Sequence, residues 1–230
     1  MANVLITGAA RGIGQELARQ YAENGDRVYA CCRNSGSADV LNEMAAASGG
    51  LITVHDMDVA DEASISGCAA GLNGAPLDIV INNAGVTGGA HQSMGDTNVA
   101  DWVDTFMINT VGPFLVAQAL HENLKASPGS KIMTVTSQLG AMTWPMGGMY
   151  SYSSTKAAVN RVMIGVALDW KADGIAVAVV HPGYVQTDMG GAAAEITPTE
   201  SASGIRSVID GMSMDNSGSF YKWNGEGHAW

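Results

Sequence analysis

Tyr152 and Lys156 stand four residues apart in Tyr152-Ser153-Ser154-Thr155-Lys156, and residues so spaced share one face of a helix. A lysine ammonium beside a phenol favours the phenolate and lowers its pKa from the usual ~10. A tyrosine tuned in this way can exchange a proton with a substrate oxygen near neutral pH. The pattern alone is common, and an exposed Tyr with a solvated Lys would satisfy it equally well. Tyr150 is the competing phenol, but it lies six residues before Lys156 and so on another helical face. Ser137 follows the apolar run Lys131 to Thr136 (KIMTVT) and could hold the same substrate oxygen through its hydroxyl.

A second cluster is rich in glycine. Thr7 to Gly14 reads TGAARGIG, with glycines at 8, 12 and 14 between an apolar run and a helical pattern. Gly8 permits a tight turn, Gly12 lets the backbone approach a pyrophosphate, and Gly14 allows close helix–strand packing. The following helix N-terminus offers free N–H groups to phosphates. Three glycines are weak evidence by themselves; their place between a first strand and a first helix gives them meaning. An NAD-selective site puts an acid at the end of the second strand, for the ribose 2′-hydroxyl. Here that end reads Cys31-Cys32-Arg33-Asn34. Arg33 and Arg11 could converge on a 2′-phosphate through charge-assisted contacts. NADP(H) is therefore the preferred cofactor. NAD(H) remains the alternative if Arg33 is a solvated loop residue and Arg11 an exposed turn residue.

These groups need a frame that brings them to one edge. Val4-Leu5-Ile6 reads as a short buried strand ending at a turn. Ile13, Leu17 and Tyr21 lie four apart and predict a helix from Ile13 to Asn24, stopped by Gly25. Further strands are expected at Arg27–Cys32, Leu51–His55, Leu77–Asn82, Lys131–Thr136, Ile175–Val180 and Ser219–Lys222. Further helices are expected at Ala38–Ala47, Glu62–Leu72, Val99–Lys125, Ser151–Lys171 and Pro198–Gly211. This alternation predicts the α/β class, as a single doubly wound domain of Rossmann type over residues 1–230. Its sheet should be mainly parallel, of about seven strands, with helices on both faces. The glycine turn, Asn82-Asn83-Ala84-Gly85, Ser137 and Pro182-Gly183 each follow a strand, and ligands of such folds bind at that carboxyl edge.

Composition narrows the partners. Apolar residues make up 47% of the 230, enough for a well-buried core. Eleven basic residues face 22 acidic ones, which argues against nucleic acid or anionic membrane as the main partner. Three cysteines (Cys31, Cys32, Cys68) without a CxxC fit reduced thiols in a cytosol, and the five scattered histidines predict no metal site. The opening MANVLITGAARGIG shows no signal peptide, and no apolar run reaches membrane-spanning length, so a cytoplasmic location is expected.

The spacing G-x3-G-x-G after Thr7, the Asn82-Asn83-Ala84-Gly85 segment, Tyr152-x-x-x-Lys156 and Pro182-Gly183 with Thr187 occur in one order along the chain. Together they resemble the short-chain dehydrogenase/reductase family, from Thr7 to at least Thr187. Within it the chain is similar to the branch of C-factor and Sniffer-type carbonyl reductases. Its short length, the run from His181 to Gly191 and the Gly- and Trp-bearing tail support this.

The resemblance implies a catalytic tetrad of Asn109, Ser137, Tyr152 and Lys156. In it Ser137 and Tyr152 hold the substrate oxygen, Lys156 binds the nicotinamide ribose, and Asn109 holds a water that links Lys156 to a proton relay. Implied cofactor contacts are Gly8, Arg11, Gly12, Ile13, Gly14 and Arg33, then Asp58 and Val59 near the adenine. Asn83, Ala84 and Gly85 border the cofactor, Tyr152 and Lys156 touch it, and Pro182, Gly183, Val185 and Thr187 fold over the nicotinamide. Asp58 could equally cap a helix.

Ser137 and Tyr152 are 15 residues apart, a longer loop than the wider family carries. That loop holds Met142, Trp144, Met146 and Met149, which with Tyr184 could form an adaptable apolar substrate pocket. Equally, they could pack beneath the loop or at a subunit contact. The short segment between Thr187 and Pro198 predicts an open site accepting varied aldehydes or ketones. The expected activity is hydride transfer between NADP(H) and a small carbonyl or alcohol, of class EC 1.1.1.-. Competing readings are a cofactor-binding signalling protein with little turnover and an NAD-linked alcohol dehydrogenase. Relatives pair through the two long helices, which implies a homodimer or homotetramer.

Overall fold

The computed structural model describes residues 1–230. The first half runs β1 (Asn3–Thr7), α1 (Gly12–Glu23), β2 (Arg27–Cys32), α2 (Asp39–Ala47), β3 (Ile52–Asp56), α3 (Glu62–Gly71) and β4 (Ile79–Asn82). A small hairpin, β5 (Gln92–Ser93) and β6 (Asp96–Thr97), leads into α4 (Val99–Phe106), α5 (Gly112–Ala119) and α6 (His121–Lys125). Then come β7 (Lys131–Val135), α7 (Tyr150–Asp169), β8 (Ala176–His181), α8 (Pro198–Asp210) and β9 (Ser219–Lys222).

Seven strands form one parallel sheet in the order β3-β2-β1-β4-β7-β8-β9. Strand order reverses between β1 and β4, so a crevice opens at their carboxyl ends. Side chains alternate across the sheet. Val4 and Ile6 join Leu17 of α1, Leu41 of α2 and Ile205 of α8 on one face. Leu5 joins Ile65 of α3, Val116 of α5 and Val159 and Met163 of α7 on the other. Each fully buried side chain of this kind contributes roughly 1.5–3 kcal/mol, so both faces fix the strand ends that carry the site. The doubly wound α/β class read from the sequence is the observed one.

One expected element differs. The helix predicted over Val99–Lys125 is broken into α4, a wider π-type turn at Met107–Val111, α5 and α6. Pro113 has no N–H to give the Asn109 carbonyl four residues back, so the α-helical ladder cannot continue there. The β5–β6 hairpin is not predicted by the sequence pattern; its strands are two residues each. No helix is long and apolar enough to cross a membrane.

Candidate active site

Helix α7, which carries Tyr152 and Lys156, starts after Met149, whose backbone is left-handed at φ 48. Tyr152 is 9% exposed and Lys156 5% exposed, so both lie inside the protein. The Lys156 Nζ sits 5.8 Å from the centre of the Tyr152 ring and donates to the Val135 carbonyl at 3.0 Å. Burial pushes Lys156 down to about 8. Burial also pushes the Tyr152 phenol up, while the Ser137 hydroxyl works in the opposite direction. This corrects the sequence expectation of a lowered Tyr152 pKa. Among the chain's own atoms both groups lose water, and the ammonium bonds the end of β7 rather than the phenol.

Ser137 follows β7 and opens a 3-10 turn, its Oγ accepting from Leu139 N at 3.1 Å. That turn is pressed onto α7. A Cβ added at Gly140 would lie 2.6 Å from the Lys156 carbonyl carbon. Asn160 Nδ2 donates to the Gly140 carbonyl (3.3 Å), and Thr136 Oγ1 donates to the Lys156 carbonyl (3.3 Å). The fold therefore brings Ser137, Tyr152 and Lys156 to one place at the end of β7.

Asn109 is buried in the π-type turn beside them. Its Oδ1 accepts from Val86 N at 2.9 Å, and its Nδ2 donates to the Val86 carbonyl (2.8 Å) and to Thr155 Oγ1 (3.1 Å). Both amide hydrogens are used in these contacts, while Oδ1 accepts a single bond and the main-chain carbonyl is left by Pro113 without an α-helical donor. Thr155, which the sequence reading passed over, also donates from Oγ1 to the Tyr152 carbonyl at 2.7 Å.

The glycine turn and the turn after β4 are stitched together. Thr7 Oγ1 accepts from the backbone of Asn83 (3.1 Å) and Ala84 (3.0 Å). Asn83 Nδ2 donates to the carbonyls of Thr7 (3.0 Å) and Gly8 (3.2 Å). Gly8 has φ +67, and a Cβ there would stand 2.8 Å from Ala84 Cα. A Cβ at Gly14 would collide with the Asn83 amide and the Gly8 carbonyl, so Gly14 serves turn-to-turn packing rather than helix–strand contact. Gly85 borders Asn109 and Lys156: a Cβ there would be 3.4 Å from Lys156 Nζ. Asn82 lies beneath, its Nδ2 donating to the Pro113 carbonyl at 3.3 Å.

A dinucleotide fits this crevice. The N-cap of α1, Arg11, gives no side-chain bond to the helix, and no acid stands in its first turn. The N–H groups around Gly12, Ile13 and Gly14 lie at that positive helix end, suited to phosphate. Thr187 lies over the turn, its methyl 3.2 Å from where a Gly12 Cβ would be, and its Oγ1 accepts from Gly190 N at 3.2 Å. Pro182 is held by Ser201 Oγ, which donates to its carbonyl at 2.6 Å. Gly183 takes φ +89 against Trp223, and buried Val185 bridges to Ile196.

The two arginines are placed differently from one another. Arg11 Nη1 pairs with Asp188 Oδ2 at 3.1 Å, with side chains 74% and 77% exposed. Arg33 is exposed just beyond β2. The sheet register sets Asp56 opposite Cys32, an acid near this strand end that the linear reading did not foresee. Its carboxylate accepts from Ser35 N at 2.6 Å, and that bond lowers its pKa. Asp58 Oδ1 accepts from Ala60 N at 3.0 Å, in the turn where Val59 is buried; the cap of α3 is Asp61 instead.

Of the five apolar substrate candidates, Met142, Trp144, Met146 and Tyr184 are exposed, and Met149 is half-buried at the start of α7. A cavity of about 200 Å³ lies beside the Ser137 turn, lined by Met142 together with Trp102, Leu139, Tyr150, Ser153 and Ala157 among others. Trp102 comes from α4, and its Nε1 donates to Ser154 Oγ at 2.9 Å. Nothing local in the sequence marks Trp102, because its role depends on α4 packing against α7.

Comparison with known proteins bears on this geometry. The sequence profile described as short chain dehydrogenase matches residues 2–197. The chain is 37% identical to C-signal of Myxococcus xanthus over 156 residues, covering 67% of this chain and 93% of that protein. Its fold is similar to the NADPH-bound carbonyl reductase from chicken fatty liver, with a TM-score of 0.92, 29% identity and coverage of 100% and 99% of the two chains. It is also similar to the carbonyl reductase Sniffer of D. melanogaster, with a TM-score of 0.93, 27% identity and full coverage of both chains.

Proposed function

The chain belongs to the short-chain dehydrogenase family, and from that premise we propose that it reversibly reduces a small aldehyde or ketone with NADP(H). The observation that carries this reading is the buried Tyr152–Lys156 pair, 5.8 Å from ring centre to Nζ, beside Ser137 at the sheet's carboxyl edge. A surface Tyr and Lys of the same spacing would have no such burial.

The nicotinamide, when bound, supplies or accepts the hydride. The protein's part is position and proton transfer. Ser137 Oγ and Tyr152 Oη hold the carbonyl oxygen, and Tyr152 Oη gives it the proton in reduction. Lys156, an ammonium with its pKa pushed down to about 8, stabilises the phenolate left behind and exchanges its own proton near neutral pH. Asn109 and Thr155 hold the helix turn that carries both groups.

NADP(H) is favoured because Arg33 is exposed at the end of β2 and Asp56, the nearby acid, is engaged by the Ser35 backbone. The carbonyl reductase from chicken fatty liver, similar in fold across its length, binds NADPH, which supports the same preference. Similarity to C-signal keeps a second reading, a cofactor-binding signalling protein with little turnover.

One assay separates the two. Steady NADPH consumption with a panel of aldehydes and ketones is expected, falling at least about a hundredfold in Tyr152→Phe. No turnover by the wild type, or full turnover by the variant, would defeat the reductase reading.

A further inference from the structure

Gly85, at the end of the Asn83-Ala84-Gly85 turn, lies beside Lys156 Nζ, and the chain beyond it must be held for the site to keep its shape. Two carboxamides do this. Asn109 binds both backbone groups of Val86 and reaches α7 through Thr155 Oγ1. Gln92, on the β5–β6 hairpin, repeats the arrangement about one turn earlier in α7. Its Nε2 donates to the carbonyls of Thr87 (2.7 Å) and Gly89 (2.8 Å), and its Oε1 accepts from the backbone N–H of Tyr152 at 3.0 Å.

That N–H belongs to the first turn of α7, where backbone donors have no partner within the helix. Met149, the residue before the helix, provides no side-chain cap and has a left-handed backbone. Gln92 therefore caps the helix from another part of the chain, at the amide of the proton-donating tyrosine itself. The loop it grips packs closely against α4 and α7 at Gly88. Gly88 takes φ +83, and a Cβ there would lie 2.6 Å from Thr105 Oγ1 and 2.7 Å from Ser151 Oγ. Both amide hydrogens of Gln92 go to the loop and its oxygen goes to the turn that carries Tyr152, so one side chain ties the two together.

We infer that Gln92 is a positioning residue for Tyr152, a role that rests on the reductase reading above. It holds the phenol-bearing turn in register with the loop beside Lys156 without touching substrate or cofactor phosphate. A displacement of about 1 Å in such a group can cost about a hundredfold in rate.

The test uses the full chain, NADPH and the best carbonyl substrate from the panel, with wild type and Tyr152→Phe run alongside. Gln92→Leu removes all three bonds. It is expected to lower kcat by about tenfold to a hundredfold, with KM for NADPH within about twofold of wild type. Gln92→Glu keeps an acceptor for the Tyr152 N–H but sets a carboxylate against the Thr87 and Gly89 carbonyls, and kcat should fall here too. Thermal unfolding is followed for each variant, and if the Leu variant does not fold the Glu variant decides. A folded variant of either kind with wild-type kcat overturns the inference, as does a loss of thermal stability with kcat intact. If the wild type reduces no carbonyl, the reductase reading fails first and the positioning role falls with it.

Discussion

Replacing Lys156 by Met should make the protein more stable while abolishing turnover. Lys156 is 5% exposed, and burial takes its pKa from 10.5 to about 8. At ~1.36 kcal/mol per pKa unit, the charged form costs the fold about 3 kcal/mol at pH 7. The 3.0 Å bond from Nζ to the Val135 carbonyl is lost in the variant, and a bond from a charged donor contributes about 1.5–3 kcal/mol. Met has a similar length and a flexible apolar chain, so the net gain should be about 1 kcal/mol. For a chain of this size that raises Tm by about 2–4 °C. The pH dependence has a defined sign. Between about 8 and 10.5 the unfolded chain holds a proton on Lys156 that the native state does not, so wild-type stability rises across that window. The gap between variant and wild type should be full below pH 8 and close towards pH 10.5. Urea unfolding of both proteins at pH 7, 9 and 10.5 measures it. A variant less stable than wild type at pH 7, or a gap that ignores pH, would refute the claim that the site holds its ammonium against a desolvation cost.

Other expectations follow from single contacts. Arg33→Asp should lower the ratio of kcat/KM for NADPH over NADH by about tenfold to a hundredfold; an unchanged ratio removes Arg33 from the 2′-phosphate site. Gly8→Ala forces a Cβ to 2.8 Å from Ala84 Cα at φ +67, and should cost about 1–3 kcal/mol and weaken NADPH binding; unaltered Tm and NADPH titration would speak against that clash. His181, with a buried Nδ1 lacking a partner, is pushed down to about 4, chiefly by burial and further by His228 and Lys222. Its contribution is complete above pH 6.5 and lost as pH falls towards 4. Allowing for partial exposure, about 2 kcal/mol should disappear over that range. His181→Gln should flatten the acid limb of a urea-unfolding series, and an identical limb would assign it to other groups.

Much of the chemistry was written in short stretches of sequence. The turn from Thr7 to Gly14 and the four-residue step from Tyr152 to Lys156 depend on backbone freedom and helical periodicity, which are properties of neighbours along the chain. Strand and helix alternation was legible for the same reason, and element ends differ by only one or two residues. The break at Met107–Val111 was also local, since Pro113 stands in the sequence, but the strong apolar pattern across Val99–Lys125 hides it. The charge balance around the site was not legible. Asp188 reaches Arg11 across 177 positions, Gln92 reaches the Tyr152 amide across 60, and Asp56 comes beside Cys32 only through strand register. The direction of the Tyr152 shift likewise depends on how much water the packed helices exclude. Residue types and local spacing declare which groups can react; desolvation and long-range partners arise only when the sheet and its two helical layers close, so tertiary packing alone decides where protons reside and what holds each group in place.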